Sequence, residues 1–245
     1  MFKHGKNFSA IGNSFIGDEV RLGDNVTIYN GCTIDGKTVI GDGVTVYPNN
    51  FISDCIIGAD TEIYPNNFLK SSEFGQGVTI YLNNVITDCK IAEKVKINSS
   101  NAEKATVEAC AEIGPFARLR PNAKIAENAH IGNFVEVKNA TVGKGTKASH
   151  LTYIGDCDIG ENCNVGCGVI FVNYNGREKN RTNVGDNCFI GSNSNIVAPV
   201  DISSDSYICA GTTVTDDVAS GDFVIGRCRQ TVKHDRAKNY LKEKR

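Results

Sequence analysis

Aliphatic residues recur along the chain every six positions, as in Ile34, Ile40, Val46 and Ile52. After every third one the step often shortens to five: Ile52 to Ile57, Leu69 to Phe74, Ile86 to Ile91, Val137 to Val142 and Ile154 to Ile159. If the three positions of a coil are named a, b and c, each short step falls between c and the next a. This phase holds from Leu22 to Val214, about 11 coils of roughly 17–18 residues, and only the c position near Ala102 fits poorly. A period of six matches no face of an α-helix. It does suit short strands, in which an aliphatic and a small residue four positions on both point inward. Gly and Asn follow many of these strands and permit a corner. Three strands per coil make a triangular prism, with coils stacked about 4.8 Å apart. The pattern therefore predicts an all-β fold, a single-stranded parallel β-helix of hexapeptide repeats over residues 1–228. Residues 229–245 read as a C-terminal basic arm or short helix that caps the open end or docks on a neighbour.

Composition narrows the picture. With 26 Lys+Arg against 28 Asp+Glu, the chain has no overall field that would draw nucleic acid or acidic membranes. No apolar run is long enough to span a bilayer, and the N-terminal MFKHGKNFSAIG lacks the apolar stretch of a signal peptide. A soluble, cytoplasmic chain without membrane or nucleic-acid partners is expected. Of the 10 cysteines, Cys32, Cys55, Cys89, Cys157, Cys163 and Cys188 each sit two residues before a repeat aliphatic. That spacing predicts buried, reduced filler, because free Cys packs as a compact hydrophobe. Cys163 and Cys188 fall on face b of adjacent coils and are still expected to be reduced. There is no Cys-x-x-Cys pair, and the histidines do not gather in threes, so no metal is expected. The recurring Tyr47-Pro-Asn-Asn, Tyr64-Pro-Asn-Asn and Tyr81-Leu-Asn-Asn segments predict stacked columns, either a binding strip or cross-coil support.

The regularity breaks once. From Phe171 to Val184 the c-to-a step is 13 residues, which inserts a loop containing Asn173–Arg181. Long loops on rigid scaffolds commonly carry function. The register places polar side chains near it. Arg120 and Lys138 each lie just after position c and stack. Glu136 and Tyr153 lie one residue before c. His150 lies four before c, with Asn133 below it and Cys167 above. Stacked cations suit a phosphate, and a His with a carboxylate nearby is a candidate general base. His4, His130 and His234 do not converge on this place.

From Ile113-Gly-Pro-Phe-Ala-Arg-Leu-Arg-Pro121 to Arg227 the chain closely resembles the acetyltransferase domain of the bacterial bifunctional glucosamine-1-phosphate acetyltransferase/N-acetylglucosamine-1-phosphate uridyltransferase. The matching segments include Gly132-Asn-Phe-Val-Glu-Val-Lys138, Lys147-Ala-Ser-His-Leu-Thr-Tyr-Ile-Gly-Asp156, Asn173-Tyr-Asn-Gly176, Ile190-Gly-Ser192 and Ala210-Gly-Thr-Thr-Val-Thr215. The closest resemblance covers residues 105–228. It implies a left-handed β-helix, a homotrimer, and active sites between subunits. By position, His150 resembles the general base and Glu136 its orienting carboxylate. Arg120, Lys138, Tyr153, Asn164 and Lys179 resemble the sugar-phosphate contacts. Cys167, Asn173, Tyr174, Ser192, Ala210 and Arg227 resemble the acetyl-CoA contacts, with Cys167 standing where the family usually has Ala.

The activity implied is acetyl-CoA-dependent N-acetylation of an amino-sugar phosphate. Glucosamine 1-phosphate would give N-acetylglucosamine 1-phosphate, for UDP-N-acetylglucosamine biosynthesis. The family's Gly-rich nucleotidyltransferase loop is not found in this sequence, so uridyltransferase activity is not expected. Two other readings stand beside this one: acetylation of a different, nucleotide-linked amino sugar, and a non-catalytic hexapeptide-repeat scaffold.

Overall fold

A computed structural model describes residues 2–241 of the chain. Each step of the repeat forms one short strand and one corner. Strands carrying position a stack into a 12-stranded sheet A, those carrying b into a 13-stranded sheet B, and those carrying c into a 12-stranded sheet C. All the pairings are parallel and keep the phase read from the sequence: Leu22 lies beside Ile40, Ile40 beside Ile57, and Ile57 beside Phe74. Ala102, the weakest c position, still falls in register between Ile86 and Leu119 and is buried. The stack runs past the regular repeats at both ends. It opens with Lys3–His4, Ser9–Ala10 and Phe15–Ile16, and it closes on Phe223–Val224. Three parallel sheets, with a single 3-10 turn as the only helix among the described residues, are those of the left-handed β-helix that the resemblance implies.

The inward residues make one continuous core of Ile, Val, Leu, Ala and Cys along the prism axis. Each large aliphatic buried there contributes on the order of 1.5–3 kcal/mol, and no other hydrophobic layer is needed. Cys32, Cys55, Cys89, Cys157, Cys163 and Cys188 are all buried, and all 10 thiols are free. Cys163 and Cys188 are neighbours, with the Cys188 N–H donating to Cys163 Sγ at 3.4 Å. Burial pushes the Cys55, Cys89 and Cys163 thiols up to about 11, so they are protonated and unreactive at neutral pH.

The tyrosine and asparagine columns separate into two roles. Tyr29, Tyr47, Tyr64 and Tyr81 run up the outside, their ring centroids 5.4, 4.9 and 5.5 Å apart. Asn50, Asn67 and Asn84 turn inward and are buried. Each amide NH2 donates to the carbonyl of the tyrosine three residues before it, at 2.6–2.7 Å. Each amide oxygen accepts a backbone N–H from the coil above: Asn67, Asn84 and then Ser100, at 2.7–2.8 Å. The inner column is therefore cross-coil support and not a binding strip. Outside it, Asn49, Asn66 and Asn83 make the corner with φ of 62°, 65° and 60°, a left-handed backbone that Asn tolerates.

Of the C-terminal arm expected at 229–245, the described part holds only the turn Ala237–Asn239. Tyr240 and Leu241 are exposed, so this part does not cap the open end of its own prism. The last residues, 242–245, lie outside the described ones. No helix among the described residues is long and apolar enough to cross a membrane.

Candidate active site

The polar residues singled out by register lie across the outer face of sheet C, from its corner with sheet B to its corner with sheet A. Glu136 and Tyr153 are in-register neighbours on that face, and so are Lys138 and Gly155. Arg120 sits one coil below Lys138, and its Nη1 pairs with Glu136 Oε1 at 2.9 Å. Gly155 gives the next step of this column no side chain. A Cβ there would strike the Tyr153 ring at 2.5 Å, so the glycine is what lets that ring lie flat over the strand.

The inserted loop leaves sheet C after Ile170–Val172 and rejoins at Thr182–Val184 in sheet A, so it does depart from a c corner. Arg181 clamps its end: Nε and Nη2 each donate to the Asp158 carboxylate at 2.6 Å, and Nη1 donates to the Asn139 carbonyl at 3.0 Å. Tyr174 and Lys179 face each other across the loop in an antiparallel bridge. Asn175 Oδ1 accepts the N–H groups of Arg177 and Glu178, both at 2.9 Å. This folding brings Lys179 back over sheet C beside Lys138. The adjacent Lys179 ammonium, together with partial burial, holds Lys138 below the ordinary lysine pKa, and Arg120 adds to the effect.

Asp156 anchors this cationic end. Asn139 Nδ2 donates to its Oδ1 at 2.6 Å, and Asn173 Nδ2 donates to its Oδ2. Burial works to raise the Asp156 pKa. The two amide donors and the Lys138 and Lys179 charges outweigh it, and the carboxyl is held below its usual value. Asn173 also reaches Tyr153 Oη at 3.4 Å. Three cations against two carboxylates, the buried Asp156 and the Arg120-paired Glu136, leave one positive charge in excess at this end of the face, as an anionic group requires.

His150 stands at the other end, exposed, at the corner between sheets B and C. Its Nδ1 lies 2.5 Å from Asn133 Oδ1. An amide oxygen only accepts, so Nδ1 is the donor in this contact, and in the neutral ring Nε2 is then the nitrogen with the lone pair. By resemblance, Glu136 was expected to orient this ring. Within the chain its carboxylate is held by Arg120, and the ring's own partner is Asn133. The corner column continues from His150 through Cys167, Ser192 and Ala210. Backbone bonds tie it together, Asn193 N–H to the Cys167 carbonyl and Gly211 N–H to the Ser192 carbonyl, both at 2.8 Å. Arg227 closes the column, its Nη1 donating to the Ala210 carbonyl at 2.9 Å.

One residue further round the corner, Phe116, Phe134 and Leu151 form a column with φ of 59°, 57° and 47°. Large side chains rarely adopt this backbone. These three are also 56–58% exposed, and the two phenyl rings stack at 5.5 Å.

The expected sugar-phosphate contacts Arg120, Lys138, Tyr153 and Lys179 thus come together, along with Asn173, which the resemblance gives to the coenzyme. Asn164 does not join them; it lies on the outer face of sheet B, in register with Lys147 and Phe189. Tyr174 stays exposed in the loop, its hydroxyl donating to the Gly176 carbonyl at 2.9 Å. Asp156 and Asn139 were not singled out from the sequence. Their signal was available, since both sit two residues after a c position, one step beyond Lys138 and Gly155.

The fold and the site define a hexapeptide-repeat solenoid with a polar face interrupted by one loop. Family models agree in type: that of the GMPPB C-terminal domain matches residues 7–107, and that of the hexapeptide repeat of succinyl-transferase matches residues 181–216. The chain is 40% identical over 232 residues to the bifunctional protein GlmU of Clostridium novyi, a match covering 94% of this chain and 43% of that protein. It is 43% identical over 222 residues to GlmU of a Geobacillus species, covering 91% of this chain and 41% of the relative. With GlmU of Limosilactobacillus fermentum, identity reaches 56% over 144 residues, 59% of this chain and 32% of the other. The chain is thus similar, over most of its own length, to one part of the GlmU proteins, and it spans less than half the length of these relatives.

Proposed function

We propose that this β-helix is an acetyl-CoA-dependent N-acetyltransferase of an amino-sugar phosphate, with glucosamine 1-phosphate as the preferred acceptor. The observation that carries this reading is the layout of sheet C. A cluster of Arg120, Lys138 and Lys179 lies at one end of the face and a free imidazole nitrogen at the other, as a substrate with a phosphate and an amine on the same sugar requires. The cations hold the phosphate and Tyr153 lines the sugar between the two ends. His150 Nε2 takes a proton from the amine as its nitrogen adds to the thioester carbonyl. The C–N bond forms and the C–S bond breaks. The coenzyme thiolate leaves and takes up the proton that His150 carries. Cys167, Ser192, Ala210 and Arg227 form the track for the coenzyme arm, ending at His150. Neither a metal nor an acyl-enzyme is needed. Thiol release from acetyl-CoA with a panel of amino sugars tests the reading. Release with glucosamine 1-phosphate supports it, release only with a nucleotide-linked amino sugar changes the acceptor, and no release with any of them overturns it.

The charge pattern adds a pH prediction. A phosphate dianion binds best to charged Lys138, so KM for the sugar phosphate should be low below the Lys138 pKa and rise as pH climbs through it. Because Lys179 holds that pKa down, the rise should begin below the ordinary titration range of lysine. Lys179→Ala should raise KM at every pH by losing a charge-assisted contact. It should also move the alkaline rise to higher pH by removing the like charge. An alkaline limb that stays in place would show that the two lysines do not share the phosphate.

The active assembly is a homotrimer. Phe116, Phe134 and Leu151 support this, since three bulky apolar side chains held in water on a left-handed backbone gain nothing in a lone chain. Their column lies beside His150, and Asn164, separated from its partners within one chain, would complete a neighbour's site. Light scattering should give about three times the 26.4 kDa chain mass; a monomer under active conditions would overturn the trimer.

A further inference from the structure

On the outer face of sheet B, three aromatic rings climb the last coils. Phe189 is in register with Tyr207, and Tyr207 with Phe223. Their centroids are 4.6 and 5.2 Å apart, and the ring planes lie within 11° and 13° of parallel. Exposure grows up the ladder, from 37% at Phe189 through 43% at Tyr207 to 66% at Phe223. Phe223–Val224 is the last strand of sheet B among the described residues, and none of their coils lies above the top ring. Solvated aromatic stacks of this kind have a π-face to offer and little reason to stay in water.

The neighbouring columns shape what can lie there. Between the ladder and the corner the sheet carries little bulk at Gly166, Gly191 and Cys209, where the N-terminal coils carry Tyr29, Tyr47, Tyr64 and Tyr81, and at the level of Phe223 the same column ends in the exposed Ile225. The bareness at Gly191 is obligatory, since a Cβ there would meet the Ala210 backbone N at 2.3 Å. Beyond this floor runs the column His150, Cys167, Ser192, Ala210 and Arg227. The three columns together make a groove parallel to the prism axis, aromatic on one wall and closed at the far end by a guanidinium. From the coil of His150 to that of Phe223 is four coil steps, roughly 19 Å at one strand spacing each.

We infer that the Phe189–Tyr207–Phe223 ladder is the stacking platform for the adenine of the acyl-thioester coenzyme, whose base continues the stack on the open face of Phe223. The proposal rests on the acetyl-CoA reading above. Three features select this occupant. A nucleobase is a flat π-system matched to a ring stack. Arg227 at the same end complements the phosphates next to the base. The length of the groove lets one extended molecule reach from Phe223 to the base-competent nitrogen of His150.

The test compares two acetyl donors, acetyl-CoA and S-acetyl-pantetheine, which lacks the adenine nucleotide. Phe223→Ala should lower kcat/KM for acetyl-CoA about tenfold to a hundredfold, the usual effect of removing an aromatic partner from a stacked base. KM for the sugar phosphate and kcat/KM with S-acetyl-pantetheine should be unchanged. Phe223→Trp should restore most of the loss with acetyl-CoA. Equal losses with both donors would overturn the platform and make the ladder a structural element. A change in assembly mass in Phe223→Ala, read by light scattering, would overturn it in favour of a subunit contact. If the unmodified protein transfers acetyl from neither donor, the acetyltransferase reading fails first, and that outcome is distinct from a loss confined to the variant.

Discussion

Replacing His150 with alanine should lower kcat by roughly 10²–10⁴-fold, the usual contribution of a positioned general base. KM for both substrates should change little, because the imidazole is given no role in ground-state binding. Asn133→Ala should give a smaller loss in kcat, since it frees the ring to rotate and to change tautomer without removing the base. Glu136→Gln distinguishes two roles. If Glu136 serves the ring, kcat falls; if it serves Arg120, as the 2.9 Å ion pair shows for the chain alone, KM for the sugar phosphate changes instead. A His150→Ala variant with near-normal kcat would mean that the amine is activated elsewhere.

The second large effect concerns stability. Asn67→Leu keeps the volume of the inner column but removes both of its polar ends. The Asn84 backbone N–H would then be buried without a partner, and the half-buried Tyr64 carbonyl would lose its donor. At about 1–3 kcal/mol for each group left unsatisfied, the loss should be roughly 2–6 kcal/mol, seen as a lower midpoint in urea denaturation. The adjacent Asn66→Gly is the control. It keeps the left-handed corner at φ 65° and touches nothing in the column, so it should cost little. Equal midpoints for Asn67→Leu and the unaltered protein would show that the column is not a main support of the N-terminal coils.

Register was legible because a β-helix turns sequence distance directly into height. Counting from c positions was enough to stack Glu136 under Tyr153 and Asn133 under His150, and both pairs are found in register. The buried cysteines and the c-corner origin of the loop followed from the same count. What register cannot give is the direction a side chain takes once it leaves the prism. For that reason register did not show Arg120 as the partner of Glu136 within the chain, and the polar residues it gathered near one corner are spread across a face. Asp156 was missed for a related reason. Its signal was positional, but its role comes from burial under a loop whose path no repeat dictates. The arm after residue 228 lay beyond the reach of the periodicity, and its described part is exposed.

The division of the molecule into rungs that touch only the rung above and the rung below has a dynamic consequence. Fraying at either end breaks a single interface at a time, so opening travels inward step by step and need not melt the whole chain at once. The rungs bearing Arg120, Lys138, His150 and Lys179 have further rungs on both sides. The ends can therefore breathe while the stretch holding these residues stays ordered, whereas the top of sheet B, where Phe223 sits, belongs to a terminal stretch.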